Sequence, residues 1–505
     1  MPKAILLTCS MVLLAGLMTA SGTLFGIDGG IRYEVTRNLV EERRFNVQPS
    51  AFTTLGADGR SYSKWALGHS IAMIPPYLLG RALAKRFPQR EEEIAEFSVA
   101  LTNLWFTVAL AGWLILLGRE LGFRLDTSVL LSLLYTFTTM AWQQAKDSFE
   151  HPQAALYLTA LFFFLHRFSR TRRVPHLCWA GVAFGLSLLT RYTAVFTFAA
   201  VVLFLGSLAR ESAEGGTARK ALLWLAIFCC AAAPFGAADL WYNRARYGSF
   251  FDTGQPYLFQ TPVSPQATLS ALWRLTFHWD RGLFLFNPVL LLALPGAVFF
   301  YRTRRILARS FLTLVVSTLI FFSLTTPDIR DGGWAWGPRH LADLLPILVL
   351  LCAPVFESRS GRPPSARWIG LLAIPLVCLS ALIQAASVSV NYNRAFMKKA
   401  LHLQGYSFAS HGLRNSLLSM QWENIRELSR NLAQARRPTL ERISRRVTPS
   451  SLDDSFTFGA FHFWWVYALL LGASPCGILL YLTGSLVLLG LAAHALWRNL
   501  RGRIP

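Results

Sequence analysis

Long apolar runs separated by short polar segments dominate the chain, and their lengths set the first expectation. Runs over residues 4–25, 97–117, 127–142, 152–168, 177–190, 193–208, 221–240, 286–301, 311–326, 340–356, 368–388 and one within 460–497 come near the ~20 apolar residues that a bilayer-crossing helix needs, or fall a little short. They predict an all-α integral membrane protein with about twelve transmembrane helices. The first run begins after three residues and is too long and unbroken for a cleaved leader, so it is expected to stay as a helix. One further apolar piece, residues 65–86 (WALGHSIAMIPPYLLGRALAKR), is interrupted by Pro75-Pro76 and ends in Arg81, Lys85 and Arg86.

Charge decides whether that piece crosses. If it does not, the loops on the starting side are residues 1–3, 118–126, 167–176, 209–220, 302–309, 357–367 and 497–505, and together they hold 20 Lys and Arg. Basic loops stay in the cytoplasm, so this arrangement obeys the orientation bias, whereas a crossing at 65–86 would invert every later loop. Residues 65–86 are therefore expected as juxtamembrane helices on the outer face, where protein or water covers the backbone. The outer side then carries residues 26–96, 143–151, 241–285, 327–339 and 389–459. In the last of these Leu413, Leu417, Trp422, Ile425, Leu428 and Leu432 recur at helical spacing among arginines, which predicts mostly helical, basic amphipathic structure on the headgroups. The expected organisation is a transmembrane module over 1–388, an external segment over 389–459, and a final helix with a basic tail over 460–505.

Composition agrees: 53% of residues are hydrophobic and 15% charged, outside the range of a soluble chain of 505 residues. The net charge of +22 lies in short runs between apolar spans, which points to membrane lipids and away from nucleic acid. All seven cysteines lie in or beside apolar runs, so neither a disulfide framework nor a zinc site is readable.

The polar stretches that could carry chemistry all fall on the outer side. Residues 26–45 (GIDGGIRYEVTRNLVEERRF) leave a carboxylate, Asp28, beside glycines at the membrane surface, where it either caps the next helix or does chemistry. Residues 145–158 (AKDSFEHPQAALYL) gather Lys146, Asp147, Glu150 and His151 where Pro152 opens a helix. Residues 234–257 and 279–292 hold WYN, YGS, RGL and NP elements, and residues 331–346 (DGGWAWGPRHLADLLP) set Arg339 at the outer end of a span. An apolar span followed by Asp, an Arg-Tyr pair and a Leu-Val-Glu helix, together with these later loops, resembles the GT-C glycosyltransferases, integral membrane enzymes that use polyprenyl-phosphate sugars. Two positions depart from that pattern: Gly29 follows Asp28 where a second carboxylate is common, and Ile74 precedes the proline pair where the family has a charge, leaving Lys64 and His69 as the nearest cations.

The resemblance implies an inverting transfer of a sugar from a polyprenyl-phosphate donor to a hydroxyl of a lipid, glycan or protein, on the outer face of a bacterial cytoplasmic membrane. Asp28 would be the base, Arg339 with Lys64 or Lys146 would hold the donor phosphate, and Asp147, Glu150 and His151 would form an acidic second loop near the acceptor. No cofactor is implied, and a divalent ion bridging Asp28 with Asp147 or Glu150 stays open as a variant of the same site. An oligosaccharide polymerase or ligase is a further reading, since it too needs a large external loop with arginines. A lipid-linked sugar transporter fits less well, because the ionisable groups sit at span ends and not within several spans. The orientation is testable: a cysteine near Gln89 is expected to react with an impermeant maleimide added outside, and one near Arg172 to stay unlabelled. The reverse pattern would overturn the arrangement.

Overall fold

The computed structural model describes residues 1–24, 26–212, 217–255, 263–357, 364–396, 416–433, 460–470 and 472–501. Nearly all regular structure among them is helical. The exception is a small antiparallel hairpin in the first loop, β1 (Thr54–Leu55) against β2 (Ser61–Tyr62). Helix α1 (Pro2–Thr19) is followed by α2 (Ile27–Glu42), α3 (Gly68–Ala72), α4 (Ile74–Ala84) and α5 (Glu91–Ala100), which leads into α6 (Thr102–Glu120). Then come α7 (Leu125–Thr138), a short α8 (Ala141–Lys146), α9 (His151–Thr171), α10 (Val174–Thr190), α11 (Phe196–Glu211) and α12 (Thr217–Tyr247). Later passes are Pro288–Thr303, Arg305–Leu324, Arg339–Phe356, Pro364–Ser389 and Pro475–Arg501.

Eight of these helices are long and apolar enough to cross a membrane, and three shorter apolar helices (Leu125–Thr138, Val174–Thr190, Pro288–Thr303) lie beside them. With the 21-residue α9 they make twelve passes among the described residues, at the places the apolar runs predict. The interrupted piece does not cross. It divides at Met73 into α3 and α4, and the 11 residues of α4 span only about 16 Å at 1.5 Å per residue. Polar contacts pin α4 to its neighbours: Tyr77 donates to Glu41 at 2.5 Å, and Arg81 pairs with both Glu41 and Glu91.

The bundle has two chemically different ends. At one, Arg304 donates to the Leu121 carbonyl, the Arg124 amide donates to Glu357, and Arg170 pairs with Glu120, so the loops rich in arginine meet each other. At the other end lie α2, α3, the loop before α9 and the loop before Arg339. Between them a continuous apolar core links α6, α7, α9, α10, α11 and the later passes through residues such as Leu114, Leu131, Phe162, Phe204, Phe311 and Ile347. In lipid this packing is held by close van der Waals contact more than by exclusion of water, and leucines such as Leu480 and Leu491 on Pro475–Arg501 face outward.

Two expectations need correction. The first apolar run does not stay helical to residue 25: α1 ends at Thr19, and Gly22 adopts φ +75° in the turn that follows. In the external segment, residues 397–415 and 434–459, with Leu413, lie outside the described residues, but a helix does form at Leu417–Ala433. Its buried face carries Leu417, Leu428, Gln421 and Asn424, and Gln421 donates to the Ala386 and Val390 carbonyls at 2.9 Å, so that face packs on protein instead of on headgroups.

The end of α1 is closed by the far end of the chain. The Trp464 and Trp465 indoles donate to the Leu17 and Met18 carbonyls at 2.9 Å, and the Trp464 amide donates to Ala20, which satisfies carbonyls that a helix end otherwise leaves bare. A Cβ on Gly22 would come within 2.6 Å of the Trp464 Cβ, in a backbone conformation that side chains avoid. Gly22→Ala is therefore expected to destabilise the protein by about 1–3 kcal/mol, read as a fall in Tm in detergent. An unchanged Tm would mean that this junction is not tightly packed.

Candidate functional site

The site is built from the first turn of α2. Gly26, at φ +84°, takes the N-cap position, so Asp28 falls inside the helix and not on a turn ahead of it, and no side chain caps this end. The capping role open to Asp28 in the sequence is thus not the one the structure gives it. One turn later on the same face is Arg32, which is buried and reaches the loop before α9: its Nη2 meets Glu150 Oε2 at 2.5 Å and its Nη1 the Ser148 carbonyl at 3.4 Å. Gly29 makes that approach possible, because a Cβ there would sit 2.3 Å from the Ser148 Cβ. The departure from a paired Asp-Glu is therefore a matter of room: a second side chain would collide with the loop that carries Glu150.

That loop is held from several sides. Asn103 donates to the Asp147 and Phe149 carbonyls at 2.6 and 2.5 Å. Asp147 accepts from Gln143 at 3.0 Å and from the Tyr392 hydroxyl at 3.2 Å. Burial pushes the Asp147 carboxyl up to about 7, against those two hydrogen bonds and the nearby Lys146 and Arg339 charges. Burial works the same way on Glu150, but Arg32 first, then His151 and Arg191, hold it well below the usual carboxylate range.

Arg339 arrives from the opposite side of the sequence. The loop before it is pinned by the buried Arg281, which donates to the carbonyls of Gly333, Ala335 and Gly337 at 2.6, 2.7 and 3.2 Å, and by Arg274, whose guanidinium grips Asp331 at 2.7–3.1 Å. Arg339 Nη1 then donates to Asp28 Oδ2 at 3.1 Å, and its guanidinium lies 4.3 Å from the centre of the Phe149 ring. The structure thus joins Asp28 and Arg339 across 311 residues of chain.

The other expected cations divide. Lys64 is half-buried, its Nζ 5.5 Å from the centre of the Trp65 ring, which the Arg32 guanidinium also faces at 5.0 Å. Lys146 is fully engaged elsewhere: it is buried and donates to the Val388 carbonyl at 2.6 Å and to the His462 carbonyl, tying the later chain to α8. Burial pushes its pKa well below that of an ordinary lysine. His69 is no cation either, since burial first and Arg32 second push it down to about 4, and its Nδ1 lies 2.7 Å from Gln153 Oε1.

Sequence reasoning missed a second set of residues. Arg191, between α10 and the next turn, is a hub: Nη1 meets Asp343 Oδ2 at 2.9 Å and His151 Nδ1 at 2.5 Å, Nη2 meets His340 Nδ1 at 2.8 Å, and Nε meets Thr193 at 2.7 Å. His151 also lies 2.7 Å from Asp343 Oδ1, and its tautomer decides which partner Nδ1 serves. His151 follows Glu150 and His340 follows Arg339, so the hub ties together the two segments that bracket Asp28. Behind it a cavity of about 30 Å³, room for one water, is lined by Thr193, Thr197, Thr318, His340 and Asp343 among others. A signal was present: Arg191 is a lone charge between two apolar runs, and Asp343 interrupts a third.

Among the described residues no three His, Cys, Asp or Glu side chains gather as metal ligands. Asp28, Asp147 and Glu150 instead face separate partners, Arg339, Gln143 with Tyr392, and Arg32. The residues as placed do not make a ready divalent site.

No protein-family model and no curated protein sequence matches the chain. Solved structures do. ArnT from Cupriavidus metallidurans, bound to undecaprenyl phosphate, superposes with a TM-score of 0.51 at 14% identity over 86% of this chain and 80% of its own. The chain shares the overall fold of that membrane protein. Beside ArnT, the oligosaccharyltransferase of Archaeoglobus fulgidus in its apo form gives the same TM-score of 0.51 at 13% identity over 81% of this chain. The chain spans 60% of the length of that enzyme.

The raised Asp147 carboxyl has a pH consequence. Between the ordinary value of 3.8 and about 7 the folded chain keeps a proton that the unfolded chain has lost, so this group's contribution to stability falls as pH rises through 7. Glu150, depressed when folded from its ordinary 4.5, contributes evenly above about pH 5, where both states have lost its proton. Thermal unfolding in detergent is expected to show a smaller loss of Tm between about pH 5 and pH 8 in Asp147→Asn than in the parent. Equal losses in the two proteins would remove Asp147 as the source.

Proposed function

We propose that this protein is an inverting glycosyltransferase that moves a sugar from a polyprenyl-phosphate donor to an acceptor hydroxyl on the outer face of a bacterial cytoplasmic membrane. The observation that carries the reading is the Asp28–Arg339 pair: a carboxylate and a guanidinium, 3.1 Å apart, at the end of the bundle opposite the arginine-rich loops. Support comes from the fold, which this chain shares with ArnT, solved with undecaprenyl phosphate bound. Residues 1–388 would carry the catalytic module, and residues 389–459 would lie outside the membrane.

In this reading Asp28 accepts the proton of the acceptor hydroxyl while the hydroxyl oxygen forms its bond to the anomeric carbon. The bond from that carbon to the phosphate oxygen breaks on the opposite face, and its electron pair leaves with the polyprenyl phosphate. A single displacement inverts the centre. Arg339 stabilises the charge that develops on the leaving phosphate, and Lys64, beside Trp65, is the second cation in reach of the same end. Lys146, held by the Val388 and His462 carbonyls, serves instead to dock the later chain. Glu150 and His151 act by position, through Arg32 and Arg191, and Asp147 and Tyr392 form the polar wall on the acceptor side.

The purified protein, offered a panel of polyprenyl-phosphate sugars with lipid and glycan acceptors, is expected to release free polyprenyl phosphate detectable by mass spectrometry. Polyprenyl-diphosphate oligosaccharides in the same panel separate this activity from polymerisation or ligation. Asp28→Asn keeps the side chain's size but cannot take a proton at neutral pH, so turnover is expected to fall ~10²-fold or more. Near-parental turnover in this variant would move the base elsewhere.

A further inference from the structure

We propose that the Asp28–Arg339 ion pair is a latch opened by the donor's phosphate, so that the carboxylate is released to take a proton only once the phosphate is seated; this rests on the glycosyltransferase reading above. As the structure stands, the carboxylate assigned to proton transfer spends Oδ2 on the cation assigned to the phosphate, 3.1 Å away. An enzyme with this pair closed holds its base and its anion site masked by each other. The neighbouring pairs are poorer candidates for exchange. Arg32 and Glu150 keep 2% and 12% of their side-chain surface, and Arg191 with Asp343 keeps 7% and 20%, whereas Asp28 and Arg339 keep 17% each, so here both partners can be reached.

Arg339 also has capacity that Asp28 does not use. Its Nε–H is buried and meets no acceptor among the described residues, while the guanidinium plane rests against the Phe149 ring. A phosphate presents two oxygens to the planar fork and can satisfy two N–H groups where the Asp28 contact satisfies one. The exchange therefore favours the phosphate and ejects the carboxylate. Asp28, displaced from Arg339, meets no second cation among the described residues to fall back on.

The consequence is opposite in sign for binding and for turnover. Removing Asp28 unmasks Arg339, so the variant that loses catalysis should hold the phosphate more tightly. Undecaprenyl phosphate, the probe, is titrated into the full-length protein in detergent, with intrinsic tryptophan fluorescence as readout. Asp28→Asn is expected to bind about ten-fold more tightly than the parent, equivalent to ~1.4 kcal/mol, and Asp28→Ala, which cannot mimic the carboxylate at all, at least as tightly. Arg339→Ala should bind more weakly, and adding Asp28→Asn to it should restore nothing, because the gain acts through the guanidinium. An unchanged affinity in both Asp28 variants overturns the latch, and so does an equal gain with and without Arg339, which would be a general effect of charge. Absence of undecaprenyl phosphate binding in the parent overturns the glycosyltransferase reading and the latch with it.

Discussion

A charge held at the edge of a bilayer must find a partner, and this requirement organises one end of the bundle. There Asp28 meets Arg339, Glu150 meets Arg32, and Asp343 meets Arg191. The cost of leaving a buried ion such as Arg32 or Arg191 alone is several kcal/mol, so these pairs fix which segments must adjoin. Helix α2 is drawn to the loop before α9, that loop to the turn after α10, and that turn to the segment that begins with Arg339. The apolar core beneath fills space between helices, but it does not choose among registers as these ion pairs do.

The architecture was legible because membrane passage leaves a coarse signal. Runs of apolar residues marked the passes, and the arginines at residues 167–173 and 302–305 marked one end, which the contact of Arg304 with Leu121 reproduces. Loop charge identified residues 65–86 as the piece that does not cross, and the break at Met73 falls just before Pro75-Pro76, which a helix start tolerates. The candidate site was legible in part. Asp28 and Arg339 stood out as polar residues at span ends, but nothing in the local pattern says that they touch. Glycine next to aspartate suggests a turn at Asp28, while Gly26 supplies the positive φ and leaves Gly29 and Gly30 inside α2.

Lys146 shows the limit of reading charge clusters by proximity in sequence. It neighbours Asp147 and Glu150, yet its ammonium is spent on carbonyls from residues 388 and 462, contributed by parts of the chain that no local motif reports. Arg191 shows the converse. Alone in sequence, it collects His151, His340 and Asp343 from two other segments, and only the folded chain makes it a hub.

The tryptophans that close the end of α1 also impose an order on assembly. Trp464 and Trp465 reach carbonyls 447 positions earlier in the chain, just before the turn that leads to Asp28. On the ribosome the first helix enters the membrane long before those indoles exist, and its last carbonyls must wait for them, bridged in the meantime by water or lipid headgroups. The passes can therefore be inserted one after another while the end that bears Asp28 stays unfinished. The end that bears Asp28 is therefore completed late in synthesis, and a chain ending before Trp464 would lack both these contacts and the last pass, Pro475–Arg501.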